Sequence, residues 1–175
     1  MQLRPDIILT STIKSLSDVV APAVDPHNKL AQEQIQIAIG LLRMLAQRLP
    51  LEFRFDCDEL KRLLGFAAGL QRYADDAVTR APLAELAIAA DVGAEILRRA
   101  QADPRAVRDA VMRLRASSGA AVDVLYREVS PPAKGEVKSL VLSHAAEQLL
   151  RDRAWVSAQG WEPHPAAVPP IEELL

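Results

Sequence analysis

The chain has 175 residues, half of them hydrophobic and a quarter charged, and its formal net charge is −2. This near-neutral balance argues against a nucleic-acid coat protein, because counterion release requires clustered lysines and arginines with few acids among them. Cys57 is the single cysteine, so no disulfide can form within the chain and we expect a reducing compartment.

The composition is that of a helical protein. The chain contains 29 Ala and 24 Leu against 7 Gly, and aromatic residues make up only 4%. Its most apolar stretch, residues 35–49, is interrupted by two arginines and two glutamines, so it falls short of the ~18 unbroken apolar residues of a membrane span. No export signal is visible near the start. We therefore expect a soluble cytoplasmic protein.

Apolar periodicity predicts two helices in the first third of the chain. The first covers residues 5–21 and ends before Pro22, with an inward stripe of Leu9, Ile13, Leu16 and Val20. The pair Asp25-Pro26 predicts the start of the second helix, which runs to about residue 49 with Leu30, Ile35, Ala38, Leu42, Leu45 and Leu49 on its inward face. Residues 51–55 alternate between apolar and polar and predict a short extended connector.

Four further helices follow. Asp56 and Glu59 resemble a capping box that opens a helix to about residue 78, and the next helix begins near Pro82. Asp103-Pro104 predicts the cap of a fifth helix, whose apolar face consists of Val107, Val111, Leu114, Ser118, Val122 and Leu125. The sixth helix begins at Ser130-Pro131-Pro132 and runs to about residue 156. After Gly160 four prolines predict an extended tail.

These elements predict an all-α fold of about six helices in an up-and-down antiparallel bundle. Short connections favour antiparallel neighbours, and a core built mainly from Ala and Leu lets helix axes approach closely. We expect residues 1–160 to form the helical bundle domain and residues 161–175 to form a Pro-rich C-terminal tail.

The residues that could support catalysis or bind a metal are isolated from one another. His144 and Glu147 are three apart on a helix, but no second such pair completes a metal site, so a hydrogen-bonded core histidine is the favoured interpretation. Cys57 lies between two aspartates, which raise the pKa of a thiol. The pair Asp75-Asp76 is interpreted as a solvated helix face. The sequence thus predicts no catalytic residue, no metal and no cofactor.

One cluster of charge stands out between residues 98 and 115. This segment contains six arginines and two aspartates, a local net charge of +4. Arg108 and Arg115 share an edge of the predicted fifth helix, with Arg105 about 60° away around it. A row of guanidinium groups can bind phosphate, nucleotide or acyl-CoA ligands, or an acidic partner. The alternative is a solvent-exposed face of salt bridges.

The tail is the second candidate site. Trp161, Ile171, Leu174 and Leu175 are large apolar residues in a segment that a single bundle does not easily bury. Such a segment can dock onto a second copy of the chain or onto another protein. Simple disorder is the alternative.

A resemblance covers about the first 50 residues. The segments Arg4-Pro5-Asp6-Ile7-Ile8, residues 19–24 and residues 41–46 resemble small helical bacterial proteins of unknown function, which are often encoded beside acyl-CoA dehydrogenases and aminoglycoside-phosphotransferase-like kinases. This resemblance implies an accessory role in acyl-CoA or kinase-related metabolism and transfers no catalytic residue.

Two functional hypotheses follow. The favoured one is a non-enzymatic helical interaction or accessory protein, most simply a homodimer. The alternative is a small-molecule binding bundle or modest enzyme that uses the arginine row as an anion site.

Overall fold

The computed structural model describes residues 4–74, 77–99 and 103–175. It is 87% helical, and the described residues contain no strand, which confirms the predicted all-α bundle. Within these ranges six long helices form: α1 (Pro5–Ser15), α2 (Lys29–Arg48), α3 (Glu52–Leu70), α4 (Ala77–Arg98), α5 (Pro104–Glu128) and α6 (Pro131–Val156). The acidic pair Asp75-Asp76 lies outside the described residues.

The chain divides into two compact units. Unit 1 consists of Met1–Glu52 and Arg151–Leu174, and unit 2 consists of Phe53–Leu150 with Leu175. The tail that the sequence separates at residue 161 therefore packs, up to Leu174, as part of unit 1. A 3₁₀ turn, Ser157–Gln159, follows α6, and the described tail contains two more, Pro165–Ala167 and Ile171–Glu173.

Unit 2 contains the main hydrophobic core. Leucines and alanines dominate it, and its buried members are Leu60, Leu63, Phe66, Ala67, Leu70, Leu83, Leu86, Ala89, Val107, Ala110, Val111, Leu114, Ala121, Leu125 and Val137. The predicted apolar face of α5 is confirmed, with Val122 only partly buried. Small residues allow the helices to approach closely: a Cβ at Gly93 of α4 would lie 3.1 Å from Leu60 Cδ1 of α3.

In unit 1, the helical segment that begins with α1 continues past Pro22 to Ala23, instead of ending before Pro22 as predicted. A π-helical turn, Leu16–Val20, leads into a last α-helical turn, Ala21–Ala23, and the N–H of Ala21 donates to the carbonyl of Leu16. Pro22 has no N–H for the carbonyl of Asp18, and in a regular α-helix its ring would collide with that carbonyl. The wider π turn relieves this collision and explains the later helix end.

Three other predicted boundaries are wrong for the same kind of reason. Residues 51–55 are helical, because Pro50 fits in a 3₁₀ turn, Leu49–Leu51, that leads directly into α3. Pro82 lies inside α4, which begins at Ala77, and α3 ends well before residue 78. A proline near a helix N-terminus removes few hydrogen bonds, so tertiary packing decides where the helix begins.

Helix caps were predicted with mixed success. Asp103 caps α5 by accepting a hydrogen bond from the N–H of Arg105, as expected. Asp25 instead accepts from the N–H of His27, and α2 is capped by Asn28, whose side chain accepts from the N–H of Ala31. The predicted cap was three residues early, since Asn is as good a cap as Asp.

No helix in the described ranges combines the length and the apolar character that crossing a bilayer would require.

Candidate interaction surface

Two of the three arginines in the row on α5, Arg108 and Arg115, form ion pairs with carboxylates of α3. Arg108 Nη2 lies 3.3 Å from Asp56 Oδ2, and Arg115 forms an ion pair with Glu59, whose side chain is buried on α3. Arg105 is exposed in the first turn of α5. A bound anion would have to displace Asp56 and Glu59, so the structure resembles the salt-bridged face more than an open anion site.

Two neighbouring arginines are also paired. Arg98 Nη2 lies 2.5 Å from Glu95 Oε2, and Arg99 Nε lies 3.8 Å from the other oxygen of that carboxylate. All three side chains are exposed, so these pairs contribute little to stability. The sequence missed the role of Asp56 and Glu59 because it assigned them to a helix cap. Their three-residue spacing was in fact the sign of a helix edge that faces the arginines.

His144 is half-buried and stacks on a phenylalanine. Its ring lies 4.4 Å from that of Phe66, centroid to centroid, at an interplanar angle of 8°. Glu147 Oε2 accepts from Arg62 Nη1 at 3.1 Å, which directs this carboxylate to an arginine. Among the described residues, no three His, Cys, Asp or Glu side chains are placed to hold a metal ion together.

Burial and the adjacent Asp56 carboxylate raise the pKa of the Cys57 thiol. The pKa shifts in the direction that the sequence predicted, although burial of the thiol is a larger cause than the charge of Asp56. A thiol with a raised pKa carries little thiolate near neutral pH and is a poor nucleophile.

A groove in unit 2 is lined by residues of α3 and α6. Its two adjoining parts measure about 410 and 240 Å³ and share Gly65, Leu140 and Ser143. Tyr73 donates to Glu136 across one part at 3.0 Å, and Arg62 pairs with Glu147 across the other. Glu136 and Glu147 are thus each paired with a donor of the same groove, Tyr73 and Arg62. The groove therefore does not present one dominant charge to a ligand.

The tail is anchored within unit 1. Ile171 is buried, with 1% of its surface exposed. The buried Arg48 of α2 donates to the carbonyls of Trp155 and Ala154 at 2.8 and 3.2 Å, which satisfies the end of α6, and lies 3.8 Å from Glu172. Arg153 binds both carboxylate oxygens of Glu162, at 3.0 and 2.8 Å. The tail therefore has its own docking site on the same chain.

The four predicted tail residues have different environments. Trp161 is 68% exposed, Ile171 is buried, and Leu174 and Leu175 are half-buried. Of the four, Trp161 is the one that presents a large apolar surface to solvent, and its role as an interaction residue stays a prediction.

Trp161 borders a groove along α2, called here the α2 groove. It measures about 380 Å³ and is lined by Gln36, Ile37, Gly40, Leu41, Arg43, Gln47, Ala158, Gln159 and Trp161. Gly40 leaves it open, since a Cβ there would meet no atom within 4 Å. Gln159, two residues before the tail, has its Nε2 3.0 Å from Met44 Sδ of α2 and so helps to hold the start of the tail beside α2.

An apolar stripe runs beside this groove, called here the α2 stripe: Leu30, Ile37, Leu41 and Leu45. Leu30 is 67% exposed, and Leu41 and Leu45 are 42% and 46% exposed. The sequence prediction placed Leu30 and Leu45 on the inward face, which is wrong; Ile39 is the fully buried aliphatic residue of α2. The other four residues of the predicted inward face are half-buried: Ile35, Ala38, Leu42 and Leu49.

Helix α1 shows the same feature. Neither it nor the turns that extend it to Ala23 contain a buried residue. Ile7, Ile8, Val19 and Val20 are all at least 40% exposed. Val20 was predicted to lie on the inward stripe, and that prediction is wrong. Unit 1 thus exposes apolar side chains from α1, from α2 and from the tail.

Comparison with known proteins found no family model, no curated relative and no solved structure that matches this chain.

Proposed function

We propose that this protein is a non-enzymatic helical interaction protein that associates with itself through unit 1. The observation that carries the proposal is the exposure of large apolar side chains on α1, on the α2 stripe and at Trp161. Clustered exposed apolar side chains are typical of protein–protein interaction sites, and Ile37, Leu41 and Trp161 line a single groove.

The energetics favour a symmetric partner. Each large aliphatic side chain moved from water into an interface contributes about 1.5–3 kcal/mol, and a two-fold interface uses every residue twice. Leu30, Leu41, Leu45 and Trp161 supply eight apolar side chains in such an interface, and each contributes part of that amount because it is 42–68% exposed in one chain. Their sum is comparable with the ~4–15 kcal/mol that association costs in lost freedom of movement.

The anion-binding alternative has less support. Arg108 and Arg115 are paired with carboxylates of α3, so a ligand gains only the difference between two sets of ion pairs. The proposal keeps the accessory role in acyl-CoA or kinase-related metabolism that the N-terminal resemblance implies. It also keeps a cytoplasmic location, which is compatible with the single free cysteine, Cys57.

Sedimentation velocity between ~1 and ~100 µM tests the proposal directly. We expect the mass to rise with concentration from that of one chain, 19.1 kDa, toward twice that value. A mass that stays at one chain over the whole range, at physiological salt, would refute self-association.

A further inference from the structure

We propose that the α2 stripe and the α2 groove form a two-fold interface in which α2 pairs antiparallel with α2 of a second copy. This inference rests on the proposed self-association and adds the surface, the orientation and the register. Its occupant is a second copy of this chain, for which shape and charge provide separate arguments.

The shape argument begins at Gly40. Its missing side chain opens the α2 groove, while the half-exposed Ile37 projects from the same helix three residues earlier. In an antiparallel pair with the two-fold axis between Ala38 and Ile39, Ile37 of each copy lies opposite Gly40 of the other. Each copy thus provides the side chain that fills the other's groove, as in knobs-into-holes packing.

The charge argument uses the same axis. Antiparallel helices bring the same flank of each helix together, which places Glu33 within one residue of the position opposite Arg43 of the second copy. Both residues are exposed, and Arg43 lines the α2 groove. Arg43 Nη2 donates to Ser17 Oγ at 3.3 Å, but a guanidinium has five N–H donors, so it can also bind a carboxylate. Two-fold symmetry forms this pair twice. A parallel pair in register would instead bring opposite flanks together at equal heights, and Glu33 would lie about 15 Å along the helix from Arg43 of the second copy.

The remaining apolar residues agree with this arrangement. Leu30 and Leu45 lie near opposite ends of α2, so antiparallel pairing brings Leu30 of one copy near Leu45 of the other. Trp161 lies at the edge of the groove, where it can cover the apolar contact from the side.

A glycine substitution tests the interface without damaging the core. Gly40→Leu places a side chain in open space, so the monomer can accommodate it, and leucine favours helix more than glycine does. We expect the dimer dissociation constant to rise at least about tenfold, because Ile37 of the partner loses its groove. The measurement is sedimentation velocity, with circular dichroism to verify unchanged helix content.

Gly119→Leu is the matched control. Gly119 is likewise a helical glycine whose Cβ would meet no atom within 4 Å, but it is exposed and lies on α5. We expect this variant to associate like the unchanged protein. Equal dissociation constants for Gly40→Leu and the unchanged protein would overturn the inference.

A charge exchange tests the orientation. Glu33→Arg and Arg43→Glu should each weaken association by about threefold or more, and the double variant should restore it, since each copy then presents the reversed pair. Circular dichroism accompanies each variant, because Arg43 also contacts Ser17. Additive weakening in the double variant would rule out the antiparallel register.

The outcomes separate the two proposals. If neither Gly40→Leu nor the charge exchange changes the dimer dissociation constant, only this interface is contradicted. The protein would then self-associate through another face. A chain that is monomeric at every concentration contradicts the proposed function itself, and this interface with it.

Discussion

The role of a single arginine depends on whether a carboxylate lies opposite it. Arg105 and Arg115 belong to the same arginine row, yet Arg115 pairs with the buried Glu59 while Arg105 is exposed in the first turn of α5. The two side chains are chemically identical, so only their positions relative to α3 distinguish them. A row of arginines in a sequence is therefore compatible with an anion site and with a set of structural ion pairs.

Substitution of these two arginines separates the two possibilities. Arg115→Ala should lower the free energy of unfolding by about 1 kcal/mol, because it removes a charged partner from a buried carboxylate. Arg105→Ala should change it by less than about 0.5 kcal/mol, since a positive charge in the first turn gains nothing from the helix dipole. Urea denaturation measures both values. Equal effects of the two substitutions would contradict the structural role assigned to Arg115.

At the scale of elements, the tail behaves as a docked segment rather than a loose arm. Its one fully buried residue is Ile171 in the last 3₁₀ turn, and ion pairs from Arg48 and Arg153 hold it at Glu172 and Glu162. Extended chain gains little from its own hydrogen bonds, so this docking depends on a few side-chain contacts. Each of these contacts can be removed separately.

Removing the apolar anchor should be costly. We expect Ile171→Ala to lower the free energy of unfolding by about 2 kcal/mol or more, through lost burial and the cavity left behind. Trp161→Ala removes a larger but exposed side chain and should change stability by less than about 0.5 kcal/mol. Both are measured by urea denaturation at low protein concentration, so that association does not contribute. A larger effect for Trp161→Ala would show that the tail docks in a different way.

The pair between Arg153 and Glu162 should make tail docking sensitive to acid. The two hydrogen bonds from Arg153 lower the pKa of Glu162 from 4.5 to about 2, with a further contribution from the N–H of His164. A carboxylate with a lowered pKa stabilises the folded state above its unfolded pKa, and this contribution is lost as the pH falls through the folded value.

Comparison with Glu162→Gln isolates this effect. The unchanged protein should be more stable than the variant at pH 7, and the difference should shrink as the pH falls from about 4.5 to about 2. Urea midpoints at a series of pH values measure the difference, in which the other carboxylates cancel. A constant difference over that interval would mean that Glu162 does not act through its charge.

At the scale of the whole molecule, the two units differ in how many apolar side chains they bury. Unit 2 buries a continuous cluster contributed by α3, α4, α5 and α6. In unit 1 the buried hydrophobic residues are few, namely Ile39, Ala154 and Ile171, while α1 has none. Association through unit 1 would supply the burial that this unit lacks within one chain.

Thermal unfolding should therefore depend on protein concentration. Because association stabilises the folded state by mass action, we expect the melting temperature to rise as the concentration is raised a hundredfold. The Gly40→Leu variant, if it prevents pairing, should melt at a temperature that is independent of concentration. Calorimetry at several concentrations measures both. A concentration-independent melting temperature for the unchanged protein would argue against stabilisation by association.

Helical content and the apolar face of α5 follow from composition and period alone, because Ala and Leu favour helix and Val107 to Leu125 recur on a single stripe. Caps such as Asp103 are also local, since their hydrogen bonds join neighbouring residues. The boundary predictions at Pro22, Pro50 and Pro82 were wrong because they treated each proline as a helix end. The free energy lost with one backbone N–H hydrogen bond is smaller than the free energy gained from tertiary packing.

Tertiary structure alone decided which apolar residues of α2 stay exposed, where the tail docks, and which arginines pair with a carboxylate. These outcomes join residues far apart in the chain, such as Arg115 with Glu59 and Arg48 with Glu172. A local period records that a helix has an apolar face, but the partner of that face is set by the other helices that compete to cover it.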